Sequence, residues 1–192
     1  NLGELIIEKP MPSMPIYFWN DPGNQLYKSS YFNYFKNKWC HGDWVNILEN
    51  GGVMIQGRSD ATLNRKGIRI GTAEIYAVLD HIEGIKDSLV VNIEKPNGDD
   101  VMPLFIVTED NVVTSKIFKI IRATLKEQCS PRHVPDQIYK VSDIPYTING
   151  KKMEVPVKKA LMGMGNEINL ETMRNPEALE IILKTYHETN LI

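Results

Sequence analysis

Gly57-Arg58-Ser59-Asp60, followed by Asn64-Arg65-Lys66-Gly67-Ile68-Arg69, gathers four cations and two glycines with Asp60 as the only carboxylate. Arginine meets phosphate oxygens with two parallel N–H donors, and glycine lets backbone approach a ligand closely. The pattern therefore suits a phosphate-bearing molecule. A solvated basic hairpin fits the same composition. His41-Gly42-Asp43-Trp44 sets a carboxylate just after a glycine. Such a group can accept hydrogen bonds from two sugar hydroxyls, and equally can serve as a turn or cap residue. In Asn149-Gly150-Lys151-Lys152 a glycine-containing loop ends on two adjacent lysines. It lacks the upstream glycine and the following Ser/Thr of a phosphate-cradling P-loop, so either ammonium needs an oxyanion brought from elsewhere. Lys116, Lys119, Arg122 and Lys126 recur at helical spacing, as a solvated face or as an anion-binding stripe. His133 has no Cys or His at ligand spacing, no G-x-S-x-G elbow is present, and Cys40 and Cys129 form no C-x-x-C pair. No metal centre or nucleophilic triad is therefore expected.

The elements that must carry these groups follow from periodicity. In 192 residues, 42% hydrophobic and 24% charged with a formal net charge of −2, there is enough apolar material for a core and no basic excess for nucleic acid. No apolar run approaches the ~20 residues of a membrane helix, and the first residues carry no secretory signal, so a cytosolic protein is expected. Gly3–Ile7 reads as a strand, and Pro10, Pro12 and Pro15 hold the next stretch out of helix. Tyr17, Phe18, Trp19, Tyr27, Tyr31, Phe32, Tyr34, Phe35 and Trp39 then need a partner surface that the rest of the chain does not obviously supply. Residues 1–57 are accordingly expected to be the end of a larger domain whose upstream part is missing, and residues 58–192 a second domain. Val53–Gln56 and Gly67–Ile70 suggest a hairpin. Thr72 is a candidate cap for a helix carrying Ile75, Val78, Leu79 and Ile82 and ended by Gly84. Strands are expected at Ser88–Ile93, Pro103–Thr108 and Gln137–Val141, joined in part by the turn Asn97-Gly98-Asp99-Asp100. Helices are expected from Thr114 or Ser115 to Ser130-Pro131, from about Pro156 to Leu161, and after an Asn175 cap with Leu179, Ile182, Leu183 and Tyr186 inward. This order predicts an α+β fold, a short sheet flanked by helices.

Taken in order, Gly3-Glu4-Leu5, Gly42-Asp43, Gly57-Arg58-Ser59-Asp60, Gly67-Ile68-Arg69-Ile70, Glu74-Ile75 and Gly150-Lys151 resemble the late motifs of the acyl-adenylate-forming (AMP-binding) synthetases. Phe18-Trp19-Asn20-Asp21, Gly57–Asn64, Arg132-His133-Val134-Pro135 and Ile144–Lys152 are most similar to the acetoacetate-activating branch of that family. The resemblance implies a two-step ligase. A carboxylic acid attacks the α-phosphate of ATP, accompanied by Mg2+, to give an acyl-adenylate and pyrophosphate; CoA then displaces AMP. It implies a mobile C-terminal domain that turns between the steps, with the phosphate-gripping loop and acyl pocket in the missing part of the same chain and no turnover by this piece alone. It further implies that Asp43 binds ribose, Arg58 and Arg69 contact the nucleotide, Asp60 is the hinge, Lys66 and Gly67 meet CoA, and Lys151 drives adenylation. Acetate or propionate as the acid, or a non-catalytic nucleotide- or CoA-binding module, are the alternative readings.

Overall fold

Leu2–Ile7 (β1), Trp39–Ile47 (β2) and Val53–Arg58 (β3) form an antiparallel sheet in the order β1-β2-β3 in the computed structural model, which describes residues 2–65, 68–95, 98–110 and 112–190. The chain divides into two compact units, Asn1–Asp60 and Ala61–Ile192. In the first, the excursion between β1 and β2 carries a 3-10 turn, Pro22–Asn24, and a short helix, Gln25–Tyr31 (α1). The Asp21 carboxylate accepts from the Leu26 and Tyr27 amides at 3.0 and 2.8 Å, satisfying donors that a helix start leaves unpaired. Part of the aromatic set is covered by its own members. Tyr31 stacks on Trp39 at 3.6 Å between ring centroids, and Phe18, Tyr27 and Phe32 complete an edge-to-face cluster. Trp39 is thereby buried, whereas Trp19 and Tyr34 stay 91% and 82% exposed.

The second unit opens with a small hairpin, Leu63–Arg65 (β4) against Ile68–Ile70 (β5). This corrects the expected pairing of residues 53–56 with 67–70: Val53 pairs instead with Ile47, and β3 completes the sheet of the first unit. Helix α2 (Thr72–Leu79) follows, then β6 (Ile85–Val90), the two-residue strands β7 (Ile93–Glu94) and β8 (Asp100–Val101), β9 (Pro103–Thr108), α3 (Thr114–Gln128), β10 (Gln137–Lys140), α4 (Glu154–Leu161) and α5 (Glu177–Asn190). Strand β9 is central, parallel to β10 and antiparallel to β6. Successive side chains of a strand point to opposite faces, and both faces here are covered. Leu104 and Ile106 pack with Ile75, Leu79, Ile117, Ile121 and Leu125 of α2 and α3. Phe105 faces the other way, against Tyr139, Val157, Leu161, Leu179 and Ile182 with α4 and α5. The result is helix, sheet, helix: the expected α+β architecture with two cores.

Helix starts differ from expectation. Gly71 and Val113 take the N-cap positions, and neither Thr72 nor Thr114 provides a side-chain cap. The strand expected over Ser88–Ile93 is broken at Val91-Asn92, and Gly84 lies beyond the end of α2, at the entry to β6. There its φ of 91° is left-handed, and a Cβ would sit 2.7 Å from Val112 Cγ2. Gly84→Ala is expected to cost about 1–3 kcal/mol, read as a lower urea midpoint at constant m-value; an unshifted midpoint would contradict this packing.

The β4–β5 hairpin is tied to the rest of its unit by charge. The Arg65 guanidinium donates to Asp100 at 2.8 Å and to both carboxylate oxygens of Asp136, at 2.5 and 3.1 Å. Asp136 also accepts from the Met102 amide at 2.7 Å. Asn92, itself buried, donates to the Asn64 carbonyl at 3.2 Å.

Candidate functional site

In the first unit, the β2–β3 register sets Asp43 directly opposite Arg58. Two segments picked out separately in the sequence are thus neighbours on one ladder. Gly42 has φ of 84°, and an added Cβ would meet the Arg58 guanidinium at 2.9 Å, so glycine is needed both for its backbone and for the arginine's place. Arg58 grips Asp60 with two N–H donors at 3.0 and 2.9 Å and donates to the His41 carbonyl at 3.2 Å. Its pKa is raised, first by its hydrogen bond to Asp60, against the opposing effect of burial. The Arg58–Asp60 pair is half exposed, so it is worth no more than about 1 kcal/mol and can be exchanged for a ligand oxyanion at little cost. Asp43 is mostly shielded and paired with His41 Nδ1 through Oδ2. Glu4 of β1 fastens the same turn, accepting from the Gly42 amide at 3.0 Å and from the Cys40 thiol at 3.3 Å. Burial, then Glu4, raises the Cys40 pKa, so this thiol stays protonated and unreactive.

In the second unit, residues 145–153 form a tight hairpin that presents Lys151. The Gly150 amide donates to the Thr147 carbonyl and the Thr147 amide to the Lys151 carbonyl, both at 2.8 Å, with Gly150 at φ 76° closing the turn. The Thr147 hydroxyl accepts from the Lys151 amide at 3.0 Å. Tyr146 bridges to Lys152 across the hairpin, so Lys151 and Lys152 face opposite ways, as neighbours on extended backbone must. Lys151 is exposed, with no side-chain ion pair or hydrogen bond among the described residues. Lys152 points inward: its Nζ lies 2.9 Å from Asp87, donates to the Ser88 carbonyl at 2.6 Å, and sits 4.2 Å from the Tyr76 ring centroid. Of the two lysines, Lys151 is thus the exposed ammonium and Lys152 the one engaged inside the fold.

The remaining candidates are distributed as follows. Arg69 lies in β5, its backbone paired with Asn64; its side chain, and the whole of Lys66 and Gly67, fall outside the described residues. Asp60 ends the first unit. Within the basic stripe of α3, Arg122 donates to the Pro135 carbonyl at 3.1 Å and so serves the fold. His133 bridges Glu74 and Ser130, both at 2.9 Å, which fastens the end of α3 to α2. Among the described residues no group of three His, Cys, Asp or Glu is arranged to hold a metal. Nor is any described helix long and apolar enough to cross a membrane.

Sequence reasoning missed the groups behind these motifs. His41, Glu4 and Tyr146 lie inside the quoted segments but were given no role there, and Asp87 lies in none of them. Asn175 reads as a helix cap, yet its side chain is spent on the loop before the hairpin: it accepts from the Tyr146 amide at 2.9 Å and donates to Asp143 and to the Ile144 carbonyl, at 2.5 and 2.9 Å.

The fold is that of the C-terminal domain of the acyl-CoA synthetases. The chain is homologous to acetoacetyl-CoA synthetases over nearly its whole length. It is 43% identical over 181 residues to the acetoacetyl-CoA synthetase of Caenorhabditis elegans and 41% identical over 179 residues to that of Rhizobium meliloti, 93% of this chain in each case. The solved acetoacetyl-CoA synthetase of Streptomyces lividans superposes with a TM-score of 0.88 at 38% identity, over 98% of this chain and 29% of that one. A more distant neighbour, the amide bond synthetase McbA of Marinactinospora thermotolerans, shares the fold over 83% of this chain and 31% of that one, with a TM-score of 0.66 at 19% identity. No protein-family model matches the chain. It spans 26–27% of the length of these curated relatives.

Proposed function

We propose that this chain is the C-terminal part of an acetoacetate–CoA ligase. Its full-length protein converts acetoacetate and MgATP to acetoacetyl-adenylate and pyrophosphate, then releases AMP as CoA forms the thioester. The single observation that supports this most is homology to acetoacetyl-CoA synthetases over 93% of the chain, running through every candidate site residue. The geometry is compatible with the chemistry. Asp43 offers a carboxylate to the ribose hydroxyls, and Arg58, released from Asp60, meets the nucleotide opposite it. Asp60, at the end of the first unit, is the pivot about which the second unit turns. Arg69 approaches the nucleotide phosphate, and Lys66 and Gly67 meet CoA in the second step. Lys151, on an exposed tip, bridges the acid's carboxylate and the α-phosphate, whose like charges otherwise repel.

Pyrophosphate exchange by the full-length protein tests this directly. Exchange dependent on acetoacetate is the expected result. Exchange with acetate or propionate instead would keep the mechanism and discard the substrate, and silence with every acid would leave a binding module. A narrower result concerns Gly42. A methyl group there displaces Arg58, so Gly42→Ala is expected to weaken AMP binding about tenfold, as loss of one charge-assisted hydrogen bond does. Calorimetric titration with AMP measures it; an unchanged Kd would detach Arg58 from the nucleotide.

A further inference from the structure

Lys151 itself touches little, but the hairpin that carries it is held from two sides by groups far away in sequence. On the inner side, Lys152 is fixed by Asp87 Oδ1 at 2.9 Å and the Ser88 carbonyl at 2.6 Å, both in β6. The second oxygen of the same carboxylate, Asp87 Oδ2, accepts from the Tyr146 hydroxyl at 2.7 Å. Asp87 therefore holds both strands of the hairpin at once, through the cross-strand pair Tyr146 and Lys152. On the other side, the segment before α5 closes over the hairpin. The Ile148 amide donates to the Thr172 carbonyl at 3.1 Å, the Arg174 amide to the Tyr146 carbonyl at 2.8 Å, and the Arg174 guanidinium lies 5.0 Å from the Tyr146 ring centroid. Asn175 takes the Tyr146 amide.

A packed fold needs no half-buried lysine at this point, because burying an ammonium is costly unless it is paired. Here the ammonium's ion pair and hydrogen bond both go to β6, the strand that anchors the hairpin, with the Tyr76 ring beside them. An ammonium that must meet two oxyanions at once has to be placed to within a fraction of an ångström, and its own side chain is long and flexible. Rigidity must come from the backbone at its base.

We propose that Lys152, Asp87 and Tyr146 are positioning residues for Lys151, a clamp that fixes its backbone so that the ammonium reaches the reacting oxygens only in the adenylation pose. This rests on Lys151 being the adenylation lysine. The clamp acts on the first half-reaction alone, because thioester formation does not use that ammonium. Tyr146→Phe removes one hydroxyl and leaves the ring, Asp87→Asn keeps the shape and removes the charge, and Lys152→Met keeps the apolar stem.

The test uses the full-length protein, with acetoacetate-dependent pyrophosphate exchange and CoA transfer from supplied acetoacetyl-adenylate measured side by side. Lys151→Ala is the reference variant. Asp87→Asn and Lys152→Met are expected to lower the exchange kcat about 10–100-fold, with KM for ATP and acetoacetate within twofold and CoA transfer unchanged. Tyr146→Phe should lower it less, and Lys152→Arg should restore part of the loss. Amide exchange over residues 146–152 should quicken in the same variants. If Lys151→Ala collapses exchange while Asp87→Asn and Lys152→Met retain it, the clamp is overturned and the reading of Lys151 stands. If both half-reactions fall together, these groups are general fold supports and the clamp is likewise overturned; Tyr146→Phe, the mildest change, guards against mistaking misfolding for this result. If Lys151→Ala leaves exchange intact, the underlying reading fails, and the clamp with it.

Discussion

Lys151→Ala in the full-length protein is expected to reduce acid-dependent pyrophosphate exchange about 10²–10³-fold, while CoA transfer from supplied acyl-adenylate persists. The magnitude is that of removing one preorganised donor aimed at developing negative charge, roughly 3–4 kcal/mol of barrier. The effect is electrostatic. A carboxylate approaching a triphosphate is opposed by like charge, and only a cation placed between them lowers that opposition without slowing product release elsewhere. The neighbouring ammonium cannot take over, because Lys152 is committed to Asp87 and the Ser88 carbonyl on the opposite face of the hairpin. A loss of less than threefold would mean that the exposed lysine is incidental.

Arg65→Met is expected to destabilise the second unit by about 3 kcal/mol. That is the low end for breaking a buried ion pair, since one of its two carboxylates keeps contact with water. The side chains of Arg65 and Asp100 are 14% and 8% exposed, whereas that of Asp136 is 40% exposed. Deleting the arginine leaves the Asp100 carboxylate desolvated without its cation. The effect should depend on pH in a defined direction. Burial alone would raise the Asp136 pKa, but the bonds from Arg65 and the Met102 amide, with the Arg65 and Arg122 charges, outweigh it and hold the group below its ordinary value. A carboxyl depressed in the folded state contributes stability above its unfolded pKa of about 3.9, and loses that contribution as pH falls through the folded value. Urea midpoints of the two forms should therefore differ most near neutrality and converge in acid once the pH lies below the folded value. A difference that persists there would assign the cost to lost packing of the arginine stem.

The second unit was legible where burial imposes a period. Pro103–Thr108 was read with its observed bounds because a strand covered on both faces is an uninterrupted apolar run. Helices α2 and α3 were legible from their apolar spacing, though not their caps, since Thr72 and Thr114 resemble caps without acting as such. Strand β2 was missed: His41-Gly42-Asp43-Trp44 breaks any alternation, and a bulge at Trp44/Val45 shifts the register. Without β2, the strand at Val53 found a false partner in residues 67–70. The site was legible as motifs and not as an assembly. Asp43 and Arg58 meet only through that missed strand, and Lys152 meets Asp87 across a separation that no local pattern reports. The closure of part of the aromatic set on Trp39 was not legible, because it depends on the turn made by α1, whereas Trp19 and Tyr34 stay exposed.

That cluster has a use at the bench. The chain has three tryptophans, Trp19, Trp39 and Trp44, and all belong to the first unit. Indole emission is therefore a private reporter of residues 1–60, with Trp39 sheltered under a stacked tyrosine and Trp19 in open water. Iodide should extinguish the red-edge light of Trp19 and spare that of Trp39. The second unit holds no tryptophan, so its melting is followed instead by the far-ultraviolet dichroism of its helices. Two optical channels thus follow the two units of one polypeptide without a label.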